Sequence, residues 1–80
     1  MKNNAIINTT LEVFLNVMDA RANVNIFKAT ADGKEELLRS NKLYNILADN
    51  EFIGNRSIYN ARIIGLNVTL GVTSILIEEA

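Results

Sequence analysis

Residues 57–79 read Ser-Ile-Tyr-Asn-Ala-Arg-Ile-Ile-Gly-Leu-Asn-Val-Thr-Leu-Gly-Val-Thr-Ser-Ile-Leu-Ile-Glu-Glu, and we expect the rest of the chain to pack around this segment. It is rich in β-branched residues and contains no proline, so every backbone N–H can join a β-ladder. A reversal at Leu70-Gly71 aligns its two halves in the pairs Val68–Thr73, Leu66–Ile75, Ile64–Ile77 and Arg62–Glu79. Because side chains alternate between the two faces of a strand, these pairs share one mostly apolar face. The stretch therefore predicts a β-hairpin.

Two glycines of this stretch predict local features of the backbone. Gly71 supplies the positive φ that a tight hairpin turn requires. Gly65 lies inside the first strand, where a glycine indicates a β-bulge or a close approach by another backbone.

The composition indicates one small domain, residues 1–80, in which residues 1–7 form an N-terminal arm with a disordered start. Hydrophobic residues make up 49% of the chain, which is enough for a core and argues against disorder. The net charge is -1, from 8 basic and 9 acidic residues. A general electrostatic binder of nucleic acid should be basic, so this class of protein is disfavoured.

The chain contains neither histidine nor cysteine. Their absence removes disulfides, the usual structural zinc sites, thiol nucleophiles and the commonest general base. No pair of hydroxyl or amine side chains has a spacing that indicates a nucleophile and its base. We therefore predict a protein that is not an enzyme and that uses no metal or cofactor.

No stretch of the chain reaches the ~20 apolar residues of a membrane-spanning helix. The N-terminal residues have too short an apolar core for a signal peptide. We therefore expect a cytoplasmic protein that does not enter a membrane. Asparagine and isoleucine are abundant while proline and tryptophan are absent, a bias that favours a low-GC bacterium or its phage.

A first helix is predicted from Thr10 to about Asp19. Thr9 and Glu12 match a capping box, with Thr9 as the N-cap. The apolar residues that follow recur at helical spacing and form one stripe, namely Leu11, Phe14, Leu15 and Met18.

A first β-hairpin is predicted around Asp32-Gly33, which is a strong turn signal. A three-residue loop with Gly33 left-handed gives the pairs Lys28–Glu36, Ile26–Leu38 and Val24–Ser40. A two-residue loop would instead pair Lys28 with Leu37 and Ile26 with Arg39, which is less favourable chemistry. We therefore prefer the three-residue loop.

A second helix is predicted through Leu43 and Leu47, capped by Ser40 or Asn41 and ending near residues 49–50. Residues 51–56 then form a loop that leads into the final hairpin. The order helix, β-hairpin, helix, β-hairpin predicts a small α+β domain with an antiparallel sheet and helices packed on one face.

The most polar irregular stretch is the candidate ligand-binding site. It combines a flexible glycine with an Arg fork, amide and hydroxyl donors and an aromatic ring, which can hold a phosphate or stack on a base. Its candidate residues are Asn55, Arg56, Ser57, Tyr59 and Arg62. A simpler interpretation is a solvated loop in which Arg62 pairs with Glu79, and we favour it because the stretch resembles neither a P-loop nor a dinucleotide-binding fingerprint.

A surplus of apolar residues predicts an interaction surface. The second faces of the two hairpins and the flank of the first helix carry the candidate interface residues Phe27, Leu37, Ile63, Leu76, Val13 and Val17. One helical layer does not easily cover both faces of a sheet in so short a chain. Either the second helix or a second subunit covers them, and we favour a homo-oligomer.

Four segments together carry a resemblance to a known group of proteins. They are Leu15-Asn16-Val17-Met18-Asp19, Val24-Asn25-Ile26-Phe27, the Asp32-Gly33 turn with Leu37-Leu38, and Ile75-Leu76-Ile77-Glu78. Their layout is similar to small accessory proteins of phages and prophages of low-GC Gram-positive bacteria. The resemblance implies a non-enzymatic role in the host bacterial cytoplasm during infection, such as countering a host defence. It assigns a function to no individual residue.

Three functions follow from these features. The leading one is a protein-interaction module that occupies a protein partner and thereby inhibits a host defence protein. The alternative is an oligomeric binder that sequesters an anionic nucleotide-like signalling ligand through Arg56, Tyr59 and Arg62. A third is a structural or assembly component of a phage particle.

Overall fold

The computed structural model describes residues 8–78. Its elements follow in the order α1 (Leu11–Leu15), β1 (Asn23–Ala29), β2 (Glu35–Lys42), α2 (Leu43–Leu47), α3 (Asn50–Gly54), α4 (Arg56–Tyr59), β3 (Ile63–Thr69) and β4 (Val72–Ile77). The predicted α+β fold is confirmed, and the second helical segment consists of three short helices. The predicted N-terminal arm, residues 1–7, lies outside the described residues. Within residues 8–78, no helix has the length and apolarity needed to cross a membrane.

The four strands form one mixed sheet in the order β2-β1-β4-β3. Each predicted hairpin is antiparallel, but the hairpins join through parallel pairing of β1 with β4, from Asn23–Val72 to Lys28–Ile77. The prediction of a wholly antiparallel sheet is therefore wrong. The pattern of each hairpin specifies its own pairing, whereas the docking of the two hairpins depends on the path of the helices between them.

The second hairpin turns at Leu70-Gly71, as predicted, and both residues have positive φ angles of 54° and 79°. The predicted pairs Val68–Thr73 and Leu66–Ile75 are present. A β-bulge between Ile63 and Gly65 then changes the register, so Ile63 rather than Ile64 lies opposite Ile77. Gly65 therefore marks the predicted bulge. A Cβ atom on Gly65 would lie 3.2 Å from Cβ of Leu76, so the group that approaches this glycine is a side chain and not the predicted backbone.

The first hairpin has the predicted three-residue loop, with Gly33 at φ 85° and Thr30 N–H donating to the carbonyl of Lys34 at 2.8 Å. Lys28 pairs with Glu36 as expected. A bulge opposite Phe27 then shifts β2 by one residue, giving the pairs Ile26–Arg39 and Val24–Asn41. The pairs predicted beyond this bulge are therefore wrong, because Leu38 is an extra residue of β2 with no partner in β1.

Helix α1 is shorter than predicted and begins one residue later. The N-cap is Thr10, whose Oγ1 accepts from the backbone N–H of Val13 at 3.3 Å, and the predicted cap Thr9 precedes it. The helix has five residues and its C-cap is Asn16, whose backbone N–H and Nδ2 both donate to the carbonyl of Glu12, at 3.2 and 2.8 Å. The predicted stripe is confirmed, since its side chains are buried or packed against the core.

The helical segment between the hairpins also departs from the prediction. Ser40 and Asn41 belong to β2, so neither caps α2, which follows the strand directly. Asp49 caps α3 instead, and its Oδ1 accepts from the N–H of Phe52 at 3.1 Å. Residues 50–54 are helical for this reason, although the sequence predicted a loop there.

The core lies between the helices and one face of the sheet. Its buried members are Leu11, Leu15, Val24, Ile26, Leu43, Ile46, Phe52, Tyr59, Ala61, Ile63, Ile75 and Ile77. The strand residues among them occupy the positions that point to a single face. The helices therefore form one layer on this face, and the opposite face of the sheet has no helix of the described chain above it.

Candidate functional site

The sheet face opposite the helices, here called the open face, carries an apolar row of side chains from β2, β1 and β4. Phe27 in β1 lies beside Leu37 in β2 and Leu76 in β4, and Leu76 lies beside Gly65 in β3. Leu37 is 52% exposed, while Phe27 and Leu76 are half-buried by their neighbours in the sheet. The row is an apolar strip that remains accessible to another molecule.

A polar row runs parallel to the apolar row on the same face. It consists of Ser40, Asn25, Ser74 and Asn67, one from each strand. Ser40 Oγ donates to Asn25 Oδ1 at 2.6 Å, and Asn67 Nδ2 donates to Thr69 Oγ1 at 3.1 Å. An apolar strip beside neutral hydrogen-bonding groups has the composition of a protein interface, with few charges at its centre.

The open face has two shallow depressions. One, of about 350 Å³, lies over the apolar row and is lined by residues that include Phe27, Gly65 and Leu76. Because Gly65 has no side chain, the flank of Leu76 remains uncovered. The other, of about 430 Å³, lies over the far end of β1 and β2, with Lys42 and Val72 in its lining. The face is therefore concave in places.

The predicted ligand-binding residues Asn55, Arg56 and Ser57 lie at the junction of α3 and α4, not in a loop. Arg56 Nη2 is 3.2 Å from Glu12 Oε1 and donates to Asn60 Oδ1 at 3.0 Å. Ser57 Oγ donates to Asn55 Oδ1 at 2.9 Å. Arg56 Nη2 and the Ser57 hydroxyl are therefore already bonded to groups of the same chain.

The other two predicted ligand-binding residues are also engaged. The Tyr59 ring is buried and packs edge-to-face on Phe52, with 6.4 Å between ring centroids, so it offers no open stacking surface. Arg62 Nη2 lies 3.4 Å from Glu78 Oε1. The predicted pairing was with Glu79, which lies outside the described residues.

The predicted interface residues separate into three groups. Phe27, Leu37 and Leu76 come together in the apolar row. Ile63 is only 2% exposed, because the bulge turns it into the core and leaves Ile64 at the surface. Val13 and Val17 are exposed on and just after α1, in the helical layer.

The sequence did not reveal a cluster formed by Arg39, Asp49 and Phe52. Arg39 Nε lies 2.9 Å from Asp49 Oδ2, and its guanidinium carbon lies 5.0 Å from the centroid of the Phe52 ring. The hydrogen bond from Arg39, assisted by the N–H of Phe52, holds the pKa of Asp49 below its ordinary value. The cluster ties β2 to the start of α3, and the register shift after the β2 bulge sets its geometry.

Asp32 has a structural role in the first hairpin. It accepts a hydrogen bond from the Thr30 hydroxyl, and this bond, with the N–H of Lys34, lowers the pKa of Asp32. Among residues 8–78, no three His, Cys, Asp or Glu side chains group closely enough to hold a metal ion.

No protein-family model, curated protein or solved structure matches this chain. We therefore infer the function from the geometry of the open face.

Proposed function

We propose that the protein is a non-enzymatic interaction module that binds a protein partner through the open face of its sheet. The apolar row formed by Leu37, Phe27 and Leu76 is the observation that carries this proposal. The helical layer covers the other face of the same sheet, and no helix within residues 8–78 lies over this one.

The physical basis is the removal of apolar surface from water. Full burial of an exposed Leu or Phe side chain contributes about 1.5–3 kcal/mol, so the partly exposed row supplies a few kcal/mol. The adjacent polar row gives the partner neutral donors and acceptors, which fix orientation without the desolvation cost of a buried charge. A partner with an apolar patch edged by neutral hydrogen-bonding groups fits this face.

The biological setting remains a prediction from the resemblance to phage accessory proteins. In that setting, the open face would bind a host defence protein in the bacterial cytoplasm and thereby inhibit it. Sequestration of a nucleotide-like ligand is less favoured, because Arg56 and Arg62 are paired with Glu12 and Glu78. A role in phage assembly remains the third prediction.

The experiment compares Leu37→Lys with the matched control Val13→Lys. Both positions are exposed in the free chain, but only Leu37 lies on the open face. A partner recovered with the wild-type protein from expressing cells is purified and titrated against all three proteins.

We expect Leu37→Lys to weaken binding about tenfold or more, because a charged side chain replaces an exposed apolar one in the proposed binding surface, and we expect Val13→Lys to have little effect. Loss of binding in Val13→Lys alone would contradict the proposal, as would equal binding by all three proteins.

A further inference from the structure

The two edge strands of the sheet, β2 and β3, differ in how strongly they discourage pairing with a strand of another chain. The β2 edge carries Glu35, Glu36, Arg39 and Lys42 together with a bulge. The β3 edge, Ile63–Thr69, contains no charged residue and no proline. Charges, proline and bulges on an edge strand discourage pairing with another chain, and an uncharged edge invites it despite the bulge near its start.

Most of the β3 edge has no partner within the described residues. At its start, Ile63 N–H donates to the carbonyl of Thr9 at 3.0 Å, and Thr10 bridges to Arg62. Beyond this point, residues 64–69 have no described strand on their outer side. Ile64 and Val68 are 49% and 64% exposed on this stretch.

We propose that a second copy of this chain pairs with the edge, β3 against β3 and antiparallel, around a two-fold axis at Leu66. This register sets Ile64 opposite Val68 of the second copy, and Val68 opposite its Ile64. The two exposed apolar side chains of each strand thus cover those of the other copy. An uncharged strand pairs with itself without like-charge repulsion, which is why we choose a second copy as the occupant.

The pairing would also shape the proposed binding surface. The two-fold axis that relates two antiparallel edge strands is perpendicular to the sheet, so the open faces of the two copies lie on the same side. The two four-stranded sheets become continuous, and the apolar rows form one extended surface with two equivalent halves. The dimer does not depend on the proposed function, and the two are tested at different residues.

The test follows the dimer in sedimentation equilibrium over a dilution series. We expect the wild-type chain to dissociate reversibly from dimer to monomer. Ile64→Lys and Val68→Lys should each raise the dimer Kd about tenfold or more. The double variant Ile64→Lys/Val68→Glu should restore the dimer, because each new lysine then faces a new glutamate across the axis.

Two control variants separate this surface from the others. Val17→Lys, in the helical layer, and Leu37→Lys, on the open face, should leave the dimer Kd unchanged. Circular dichroism melts of every variant establish that a monomeric variant is folded. If a single variant fails to fold, restoration by the double variant remains the deciding comparison.

Three results would overturn the proposal. One is a wild-type chain that stays monomeric at all concentrations. The proposal also fails if this monomer dimerises once residues 2–7 are deleted, because the chain's own first residues would then be covering the edge. Another is a dimer unaffected by both single variants. The last is a folded double variant that stays monomeric, which would exclude the register around Leu66.

Discussion

Leu70 has a backbone conformation that favours asparagine or glycine over leucine. Its φ is 54°, its side chain is 97% exposed, and it forms the hairpin turn with Gly71. Leucine in the left-handed region costs about 1–2 kcal/mol, whereas asparagine tolerates it. We predict that Leu70→Asn stabilises the protein by about 1 kcal/mol, measured by urea denaturation. Leu70→Ala removes the same exposed side chain without relieving the backbone, so equal stability of the two variants would contradict this explanation.

The Arg39–Asp49 pair predicts a dependence of stability on pH. Because the hydrogen bond from Arg39 lowers the pKa of Asp49 in the folded state, the pair stabilises the fold fully above the ordinary value of 3.8. This contribution is lost as the pH falls below 3.8 through the lower folded value. We expect Asp49→Asn to reduce stability at neutral pH and to flatten the acid limb of a plot of Tm against pH. An acid limb identical to that of the wild type would contradict this role.

At the scale of single residues, the sequence revealed the turns but not the ion pair. Gly33 and Gly71 were predictable because few other residues accept positive φ. Gly33 follows the typical turn residue Asp32, and Gly71 lies where one alternating stretch ends and the next begins. Arg39 and Asp49 are ten residues apart, with a strand end and a helix between them. Their contact depends on where β2 ends, so no local pattern predicts it.

At the scale of secondary-structure elements, the β3 bulge decides which of two neighbouring isoleucines belongs to the core. Ile63 is 2% exposed and faces Ile77, while Ile64 is 49% exposed. Removal of a buried isoleucine side chain leaves a cavity and costs about 2–5 kcal/mol. We predict that Ile63→Ala loses that much unfolding free energy and Ile64→Ala less than about 1 kcal/mol. A larger loss for Ile64→Ala than for Ile63→Ala would contradict the bulge and favour the regular register, in which Ile64 faces Ile77.

The start of α1 provides a second test at this scale. Thr10 Oγ1 accepts from the Val13 N–H, so Thr10→Ala should cost about 1 kcal/mol of stability. Among residues 8–78, the Thr9 side chain makes no such bond to the helix, and its hydroxyl donates to the neighbouring carbonyl of Thr10 at 3.4 Å. We expect Thr9→Ala to be the milder change in the same denaturation experiment. A larger loss for Thr9→Ala would favour the capping box predicted from Thr9 and Glu12.

Element types were therefore more predictable than element boundaries and registers. Alternation identified the β-hairpins, and helical spacing identified the α1 stripe, because both signals are local. The bulges at Leu38 and Ile64 each shift a strand by one residue, and only one of them has a glycine beside it. Residues 50–54 are helical and Asp49 caps this helix, whereas Gly54 and Asn55 are residue types that favour a loop.

At the scale of the whole molecule, the layered arrangement determines the candidate site. The helices and the core occupy one face of the sheet, so the apolar residues of the other face form a continuous row. Phe27, Leu37 and Leu76 were predictable as interface candidates from alternation within each hairpin. Their meeting in one row depends on the parallel β1–β4 pairing, which the sequence did not reveal.

Binding of a protein partner by the open face is tested by native mass spectrometry of the wild type and Leu37→Lys, both purified gently from expressing cells. We predict a wild-type assembly that contains a partner protein and no added mass of nucleotide size, and we predict loss of the partner in Leu37→Lys. Added mass of nucleotide size would support sequestration of a ligand instead. A wild-type chain with no partner, or a partner retained by Leu37→Lys, would contradict the claim.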